Sequence, residues 1–333
     1  MNVLLTGGTG YIGSHTAVVL AESGHNVTLY DNLCNSNRDV VGNLTKITGK
    51  VMPFIEGDVR DIQLLSATLK QQNIDAVIHF AGLKAISESV KNPIDYFSTN
   101  VEGSLSLLHA MKCNDIKKLV FSSSATVYGA PQYLPYDENH PTSAINPYGR
   151  TKLHVEEMLS DLAESDSLWS IAILRYFNPV GAHESAMIGE LPIGTPNNLM
   201  PYIVQVASGR LPELSIFGDD YPTRDGTGER DYIHVMDLAE GHLNALDFIC
   251  HETGWHAFNL GTGNSTTVLE LVHEFERITH QKIPLKMSLR RPGDLPAYYA
   301  KAAKAKSLLG WETKRSLADM CLSAWRWEEA RGL

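Results

Sequence analysis

The chain has 333 residues, 43% of them hydrophobic and 20% charged, and a net charge of −10. That is enough apolar material for one large or two small domains with real cores, and so acidic a balance argues against nucleic acid or an anionic membrane as partner. The four cysteines (Cys34, Cys113, Cys250, Cys321) are too scattered for a zinc site or a disulfide framework and suit a reducing cytoplasm. No apolar run approaches the ~18 residues of a membrane span, and the short run before Thr6 has no basic region ahead of it, so no secretion signal is expected.

Along the first half, short apolar runs at 3–5, 27–30, 54–55, 76–80, 119–121 and 171–174 alternate with helix-like stretches at 12–22, 62–72, 94–112 and 148–162. Apolar strands separated by helices predict an α/β fold: a doubly wound parallel sheet of Rossmann type, with ligands at the carboxyl ends of its strands. Residues 178–230, rich in Gly, Pro, Asn and Asp, read as loops with short elements, and regular patterns return at 235–246 and 257–260. The expected division is a dinucleotide-binding domain over 1–177, with 233–262 folding back onto it, and a smaller mixed α/β lobe over 178–333 for the substrate.

The first strand leads straight into Gly7-Gly8-Thr9-Gly10-Tyr11-Ile12-Gly13. In such a strand–turn–helix, Gly7 permits the turn, Gly10 lets the backbone approach a pyrophosphate, and Gly13 lets the helix pack on the strand. The free N–H groups at the helix start hold the phosphates. Asp31 closes the next strand, where a carboxylate accepts from an adenosine ribose and repels a 2′-phosphate, so the expected cofactor is NAD rather than NADP. Asp58 closes the third run, either near the adenine or as a helix N-cap. Phe80-Ala81-Gly82 closes the fourth with small residues suited to close passage of a cofactor.

Asn146-Pro147-Tyr148-Gly149-Arg150-Thr151-Lys152 opens a helix that puts Tyr148 and Lys152, at i and i+4, on one face. Just upstream, Leu119-Val120-Phe121 runs into Ser122-Ser123-Ser124. A serine, a tyrosine and a lysine converging at the strand ends form an acid–base trio. A phenol of pKa ~10 needs about 4 kcal/mol to fall three units, which one cation at ~4 Å provides at an effective dielectric of 20. Lys152 is the expected source, with the positive ring of a bound NAD adding to it, and Lys152 can also hydrogen-bond the nicotinamide ribose.

Together these motifs resemble the extended short-chain dehydrogenases/reductases, and within them the UDP-galactose 4-epimerases. The resemblance also runs through Asp31-Asn32-Leu33-Cys34-Asn35-Ser36, His79-Phe80-Ala81-Gly82-Leu83-Lys84, residues 122–129, Arg175-Tyr176-Phe177-Asn178-Pro179-Val180-Gly181-Ala182-His183, residues 197–203 and 230–238, and Arg290-Arg291-Pro292-Gly293-Asp294-Leu295-Pro296-Ala297-Tyr298. It implies interconversion of UDP-galactose and UDP-glucose: NAD removes and returns the C4 hydride through a 4-keto sugar that turns over in between. Tyr148 is then base and acid, Lys152 its pKa tuner, and Ser124 the partner of the sugar O4. Asp31, Asn32, Asn35 and Ser36 surround the adenosine ribose, and Tyr11 and Ile12 line the pyrophosphate. Asp58, Val59, Phe80, Ala81, Gly82, Lys84, Asn100, Ser122, Tyr176 and Phe177 also fall against the cofactor.

On the substrate side the resemblance implies contacts from Lys84, Asn178, Asn198, Leu199 and Ser215. Phe217 packs by the uracil, Arg230 and Arg291 clamp the diphosphate, and Asp294 accepts from a ribose hydroxyl. Tyr298 falls where relatives that accept N-acetylated sugars carry a smaller residue. Thr99, where some relatives carry Asn, is a departure. A homodimer through helices near 94–113 and 148–163 is also implied, and no metal. A nucleotide-sugar dehydratase or decarboxylase would need an acid beside the strand-end serine, and Ser124-Ala125-Thr126-Val127-Tyr128 has none. A non-catalytic NAD-binding regulator would lack the tyrosine or the lysine, and both are present.

Overall fold

The computed structural model describes residues 1–332 apart from 193, 195 and 292, so Pro292 of the 290–298 motif lies outside the described residues. The chain opens β1 (Asn2–Thr6), α1 (Tyr11–Glu22), β2 (Asn26–Asp31), α2 (Asp39–Thr48), β3 (Phe54–Glu56), α3 (Ile62–Gln71) and β4 (Ala76–His79). It continues with α4 (Ile86–Lys91), α5 (Pro93–Tyr96), a π-helical turn (Phe97–Glu102), α6 (Gly103–Cys113), β5 (Lys118–Ser124), α7 (Pro147–Ser165) and β6 (Ser170–Tyr176).

The main sheet has the order β11-β6-β5-β4-β1-β2-β3 and all its pairs are parallel, β11 being Gly254–Leu260. Strand order reverses between β1 and β4, so their carboxyl ends frame the crevice where such sheets bind ligands. Alternation along β1 explains the two cores. Val3 and Leu5 face α1 and pack with Ala17, Leu20, Leu238 and Phe258. Leu4 faces the other way, with Val77, Leu107, Met111, Leu119 and Leu159.

The rest of the chain runs β7 (Asn178–Val180), α8 (Leu199–Ala207), β8 (Leu214–Phe217), β9 (Glu229–Arg230), β10 (Tyr232–His234), α9 (Val235–Phe248), then β11, β12 (Thr266–Thr267), α10 (Val268–Thr279), β13 (Leu285–Ser288), β14 (Ala297–Tyr298) and α11 (Leu317–Ala330). Ile203, Leu271, Phe275, Met320 and Trp325 form a separate core beneath these short elements. α9 packs on α1 and β11 pairs along β6 from Gly254↔Ser170 to Leu260↔Tyr176.

The structure corrects three local readings. The stretch expected as one helix over 94–112 contains the π-helical turn, which carries Asn100. Residues 39–48 form a helix that the pattern did not suggest, because its only fully buried residue is Leu44. The loop-like 178–230 region contains α8, an apolar helix with Met200, Ile203, Val204 and Val206 buried.

Candidate active site

At the β1 end the chain turns through Gly7, at φ +69°, into the N-terminus of α1. A Cβ on Gly7 would lie 2.7 Å from the Ala81 nitrogen, and one on Gly13 only 2.3 Å from the Gly7 carbonyl oxygen. Gly10 is the helix cap, with no side-chain cap bond and no acid in the first turn. The first N–H groups, those of Tyr11 and Ile12, therefore have no intrahelical acceptor. This uncapped end of an otherwise buried helix fits the pyrophosphate of a dinucleotide. Tyr11 itself reaches across the molecule, its hydroxyl donating to the Gly181 carbonyl at 2.7 Å.

Asp31, buried at the end of β2, accepts from Thr9 N (3.1 Å), Leu33 N (2.9 Å) and the Ser36 hydroxyl (3.1 Å). A carboxylate has about four acceptor positions, which leaves one for a ribose hydroxyl. Asn32 donates to Asp58 at 3.0 Å, and Asn35 is exposed. Asp58 stands two residues beyond the end of β3, and Arg60 grips it with two 2.8 Å bonds that hold its carboxyl well below the usual range. The N-cap alternative for Asp58 is wrong: Asp61 caps α3, accepting from Leu64 N at 2.9 Å. Val59 is buried beneath this corner, where a Cβ on Gly103 would meet it at 2.7 Å.

Across the crevice, Ala81 N donates to the Thr6 carbonyl at 3.0 Å and the Phe80 ring lies 4.8 Å from that of His242. Asn100 is buried and fixes the loop after β4: it accepts from Leu83 N (2.8 Å) and donates to Leu83 O (3.0 Å) and the Thr151 hydroxyl (2.9 Å). Its amide thus shapes the wall around Gly82, whose missing Cβ would sit 3.0 Å from Asn100 Oδ1 and 3.7 Å from Lys152 Nζ.

Asn146 caps α7 by accepting from Gly149 N at 2.8 Å. On the next turns Tyr148 faces Ser124, and Lys152 is buried, donating to the Ser122 carbonyl at 2.7 Å and lying 4.9 Å over the Phe121 ring. The Ser124 hydroxyl accepts from Thr126 N (3.2 Å) and from the Thr126 hydroxyl (3.0 Å). The expected lowering of the Tyr148 pKa is not a property of the protein alone. Burial, with a smaller contribution from Tyr298, outweighs the Ser124 hydrogen bond and pushes the phenol up to about 12. Lys152 is turned toward β5, and burial brings it down to about 8. Tyr176 donates to His242 Nε2, whose other nitrogen bonds the Leu238 carbonyl at 2.8 Å. Phe177 is buried 6.1 Å from the Tyr298 ring.

The substrate-side residues fall into three contact groups, around Tyr298, Arg291 and Glu190. Tyr298 donates to Asn178 Oδ1 at 2.8 Å, and Asn178 donates to Asp231 O at 2.9 Å. Arg230 lies 4.6 Å over the Tyr298 ring and has no carboxylate partner among the described residues. Its acidic neighbours are engaged elsewhere: Glu229 with Arg224 at 3.2 Å, and Asp231, turned inward, with Thr262, Gly263 and Ala300. Arg291 lies 4.6 Å over Phe217 and bonds Asp294 at 3.0 Å. Phe217 is half-exposed on β8, with Ser215 two residues before it. Asn198 precedes α8, whose first residue is Leu199, yet its amide donates to Glu190 at 2.8 Å. Glu190 also takes Lys84 at 2.9 Å, so one acid that sequence reasoning missed joins a cofactor-side and a substrate-side residue. No spacing signal could have found it, because its partner Lys84 is 106 residues away.

A family model described as GDP-mannose 4,6 dehydratase matches residues 4–323. UDP-glucose 4-epimerase of Bacillus subtilis (strain 168) is 52% identical over 330 residues, which cover 99% of this chain and 97% of the relative. Among solved structures, UDP-glucose-4-epimerase from Stenotrophomonas maltophila, with bound NAD and formylated UDP-arabinopyranose, superposes with a TM-score of 0.98 at 52% identity, covering 99% of this chain and 98% of the other. The Bifidobacterium longum enzyme, in complex with NAD+ and UDP, gives 0.96 at 47%, with the same coverage. The dehydratase description fits the shared architecture, but the segment after Ser124 has no acid for that chemistry. With half its residues shared over nearly its whole length, the chain belongs to the UDP-glucose 4-epimerase family.

Proposed function

We infer that this chain interconverts UDP-galactose and UDP-glucose with a tightly held NAD. The observation that carries the reading is Tyr148 facing Ser124 at the carboxyl end of β5, with Lys152 one turn behind and Tyr298 opposite. Relatives crystallised with NAD, with UDP and with a UDP-sugar support it. Tyr148 takes the proton of the sugar O4 and gives it back after the sugar has turned, while Ser124 hydrogen-bonds the same oxygen. Bringing the phenol from about 12 to neutrality takes ~7 kcal/mol, about twice what a single cation at 4 Å gives at an effective dielectric of 20. Lys152 provides one charge. NAD+, when bound, provides the second and is the group that takes up the C4 hydrogen with its electron pair and returns it. The cofactor is not consumed, so UDP-galactose given to the pure protein with no added NAD should yield UDP-glucose, and denaturing the protein should release nucleotide. An empty protein with no product would end this reading.

Arg230 and Arg291 hold the diphosphate and Phe217 the uracil. Ground state and transition state bind these groups alike, so Arg291→Ala raises KM for the UDP-sugar about tenfold or more and leaves kcat within about threefold. Stability changes little, because the Arg291–Asp294 pair is largely exposed. Steady-state kinetics that put the whole loss in kcat would contradict the role.

Tyr298 walls the sugar pocket. Tyr298→Cys is expected to raise activity on UDP-N-acetylglucosamine at least severalfold while activity on UDP-galactose does not rise, with both sugars assayed in parallel. A variant that gains nothing on the larger sugar would rule out the gatekeeper role.

Two lobes fit this division of labour: 1–177 with 233–262 for NAD, and the remainder of 178–333 for the UDP-sugar. A homodimer through the helix faces near 94–113 and 148–163 is supported by a groove lined by Leu105, Leu108, His109, Met158 and Leu162. A cytoplasmic location is supported by the scattered cysteines, of which Cys34 and Cys113 are exposed. Among the described residues no helix is long and apolar enough to cross a membrane.

A further inference from the structure

Three successive serines at the end of β5 are each matched to a residue one helical turn further along α7. Ser124 faces Tyr148, the Ser122 carbonyl accepts from Lys152 at 2.7 Å, and the Ser123 hydroxyl donates to Glu156 at 2.5 Å. The first two contacts belong to the chemistry already described, and the third does not. Glu156 is almost wholly buried, and its other contacts are all to Arg175 on β6: Nε at 3.1 and 3.2 Å and a terminal nitrogen at 2.6 Å. Arg175, equally buried, donates from its other end to the Tyr128 hydroxyl at 3.0 Å, and Tyr128 donates to Asn259 of β11 at 2.7 Å. One carboxylate thus ties α7 to β5 and β6, and through Arg175 and Tyr128 to β11.

We propose that Glu156, clamped by Arg175 and Ser123, is a positioning residue that sets α7 in register against β5 and keeps the positive charge on Lys152. A buried ion pair is weak evidence for stability, since apolar replacements are often as stable. What favours a role beyond stability is the placement, on the same helix face as Tyr148 and Lys152 and two turns from the reacting phenol. Among the described residues, Glu156 is the one anion acting on Lys152. His79 comes from β4, buried between the Thr6 and Ser104 hydroxyls and held neutral, its pKa lowered to about 3. β5 presents the Ser122 carbonyl and the Phe121 ring, the loop after β4 presents Gly82, and α7 presents Tyr148 and Glu156. Burial drives Lys152 toward its neutral form, and Glu156 is the charge that opposes it. Removing that charge lowers the Lys152 pKa further, so less of it is cationic at neutral pH. The Arg175 guanidinium pairs with Glu156, and Glu156 is the charge that acts on Lys152.

The inference rests on the epimerase reading for its consequence in kcat, but its first test does not need activity. Protein purified with its own nucleotide and labelled with 13C at the lysine ε carbons is titrated by NMR, the Lys152 signal being assigned by its loss in Lys152→Met. In Glu156→Gln the Lys152 midpoint is expected to fall by about one pH unit or more. In turnover kcat is expected to drop about 10²-fold, as for a misplacement of ~1 Å, with KM for the UDP-sugar nearly unchanged. Glu156→Gln strands the Arg175 charge, so a second variant, Glu156→Gln with Arg175→Met, removes both. It should regain the melting temperature of the parent while both the lowered midpoint and the low kcat persist. If Glu156→Gln does not fold, the double variant is titrated in its place. An unchanged midpoint, or a kcat that recovers together with the melting temperature, overturns the proposal and leaves the pair a purely structural one. A parent protein with no epimerase activity would defeat the functional reading while the titration still decides the role of Glu156.

Discussion

Tyr148→Phe is expected to lower kcat by about 10²–10⁴-fold, the usual contribution of a general acid–base group, in a protein that still carries its NAD. That range is ~2.7–5.5 kcal/mol of transition-state stabilisation. The substitution removes one oxygen and no phosphate contact. It strands little, because the Ser124 hydroxyl keeps its two bonds to Thr126. The melting temperature should therefore hold while turnover collapses. The phenol has to be drawn down from about 12 by neighbouring charges. His79 is buried, bonded on both nitrogens and held neutral. Single-turnover and steady-state rates on UDP-galactose, with nucleotide content measured on the same preparation, check the result. A loss of less than tenfold would remove Tyr148 from the chemistry.

The second large effect is expected from Gly13→Ala, which should yield protein with less than about a tenth of the parent's bound nucleotide. By helix propensity alone alanine is the better residue by ~1 kcal/mol. Geometry reverses the sign: the new Cβ would lie 2.3 Å from the Gly7 carbonyl and 3.0 Å from Gly8 Cα, both rigid backbone. The helix start must back away from the turn, which costs ~1–3 kcal/mol as overpacking and opens the very curve that receives the pyrophosphate. Loss of a ligand held at a hundred times its Kd removes a further ~2.7 kcal/mol of apparent stability. Gly42→Ala is the matching control. Gly42 lies in α2, exposed, with nothing within 4 Å of an added Cβ. There the propensity gain stands, the melting temperature should rise slightly, and the nucleotide should stay. Absorbance of the denatured supernatant at 260 nm and thermal melts of both variants decide the matter. A Gly13→Ala protein with full nucleotide content would show that the turn tolerates what its contacts forbid.

Much of this architecture could be read from the residues, and the limits of that reading follow from range. The inner strands β1, β4, β5 and β6 are buried on both faces, so each carries an unbroken apolar run, and the glycine turn and the Tyr148/Lys152 pair are defined within a single element. Contacts of intermediate range were ambiguous. Asp58 and Asp61 both precede α3, and only the Leu64 N–H pointing at Asp61 distinguishes the cap from the partner of Arg60. Long-range contacts were invisible. Glu190 meets Lys84 and Asn198 through a loop with no periodicity, and the direction in which Asp231 turns, which leaves Arg230 without a carboxylate, depends on Thr262, Gly263 and Ala300. The height from which the Tyr148 pKa starts is hidden for the same reason. The i, i+4 spacing to Lys152 is local, whereas the burial that dominates it is the sum of the whole site.

The place of β11 at the edge of the main sheet, beside β6, has a consequence for how the protein is made. A nascent chain that has reached Tyr176 has six of the seven strands, but β6 still has a bare edge and α1 has not met α9. The sheet is finished only when residues up to Leu260 have emerged, roughly 4–17 s later at ordinary synthesis rates. During that interval the 178–230 segment has to wait on an incomplete base. A chain stopped between residues 176 and 254 therefore leaves β6, buried along its whole length in the finished fold, as the exposed edge, the kind that recruits other chains.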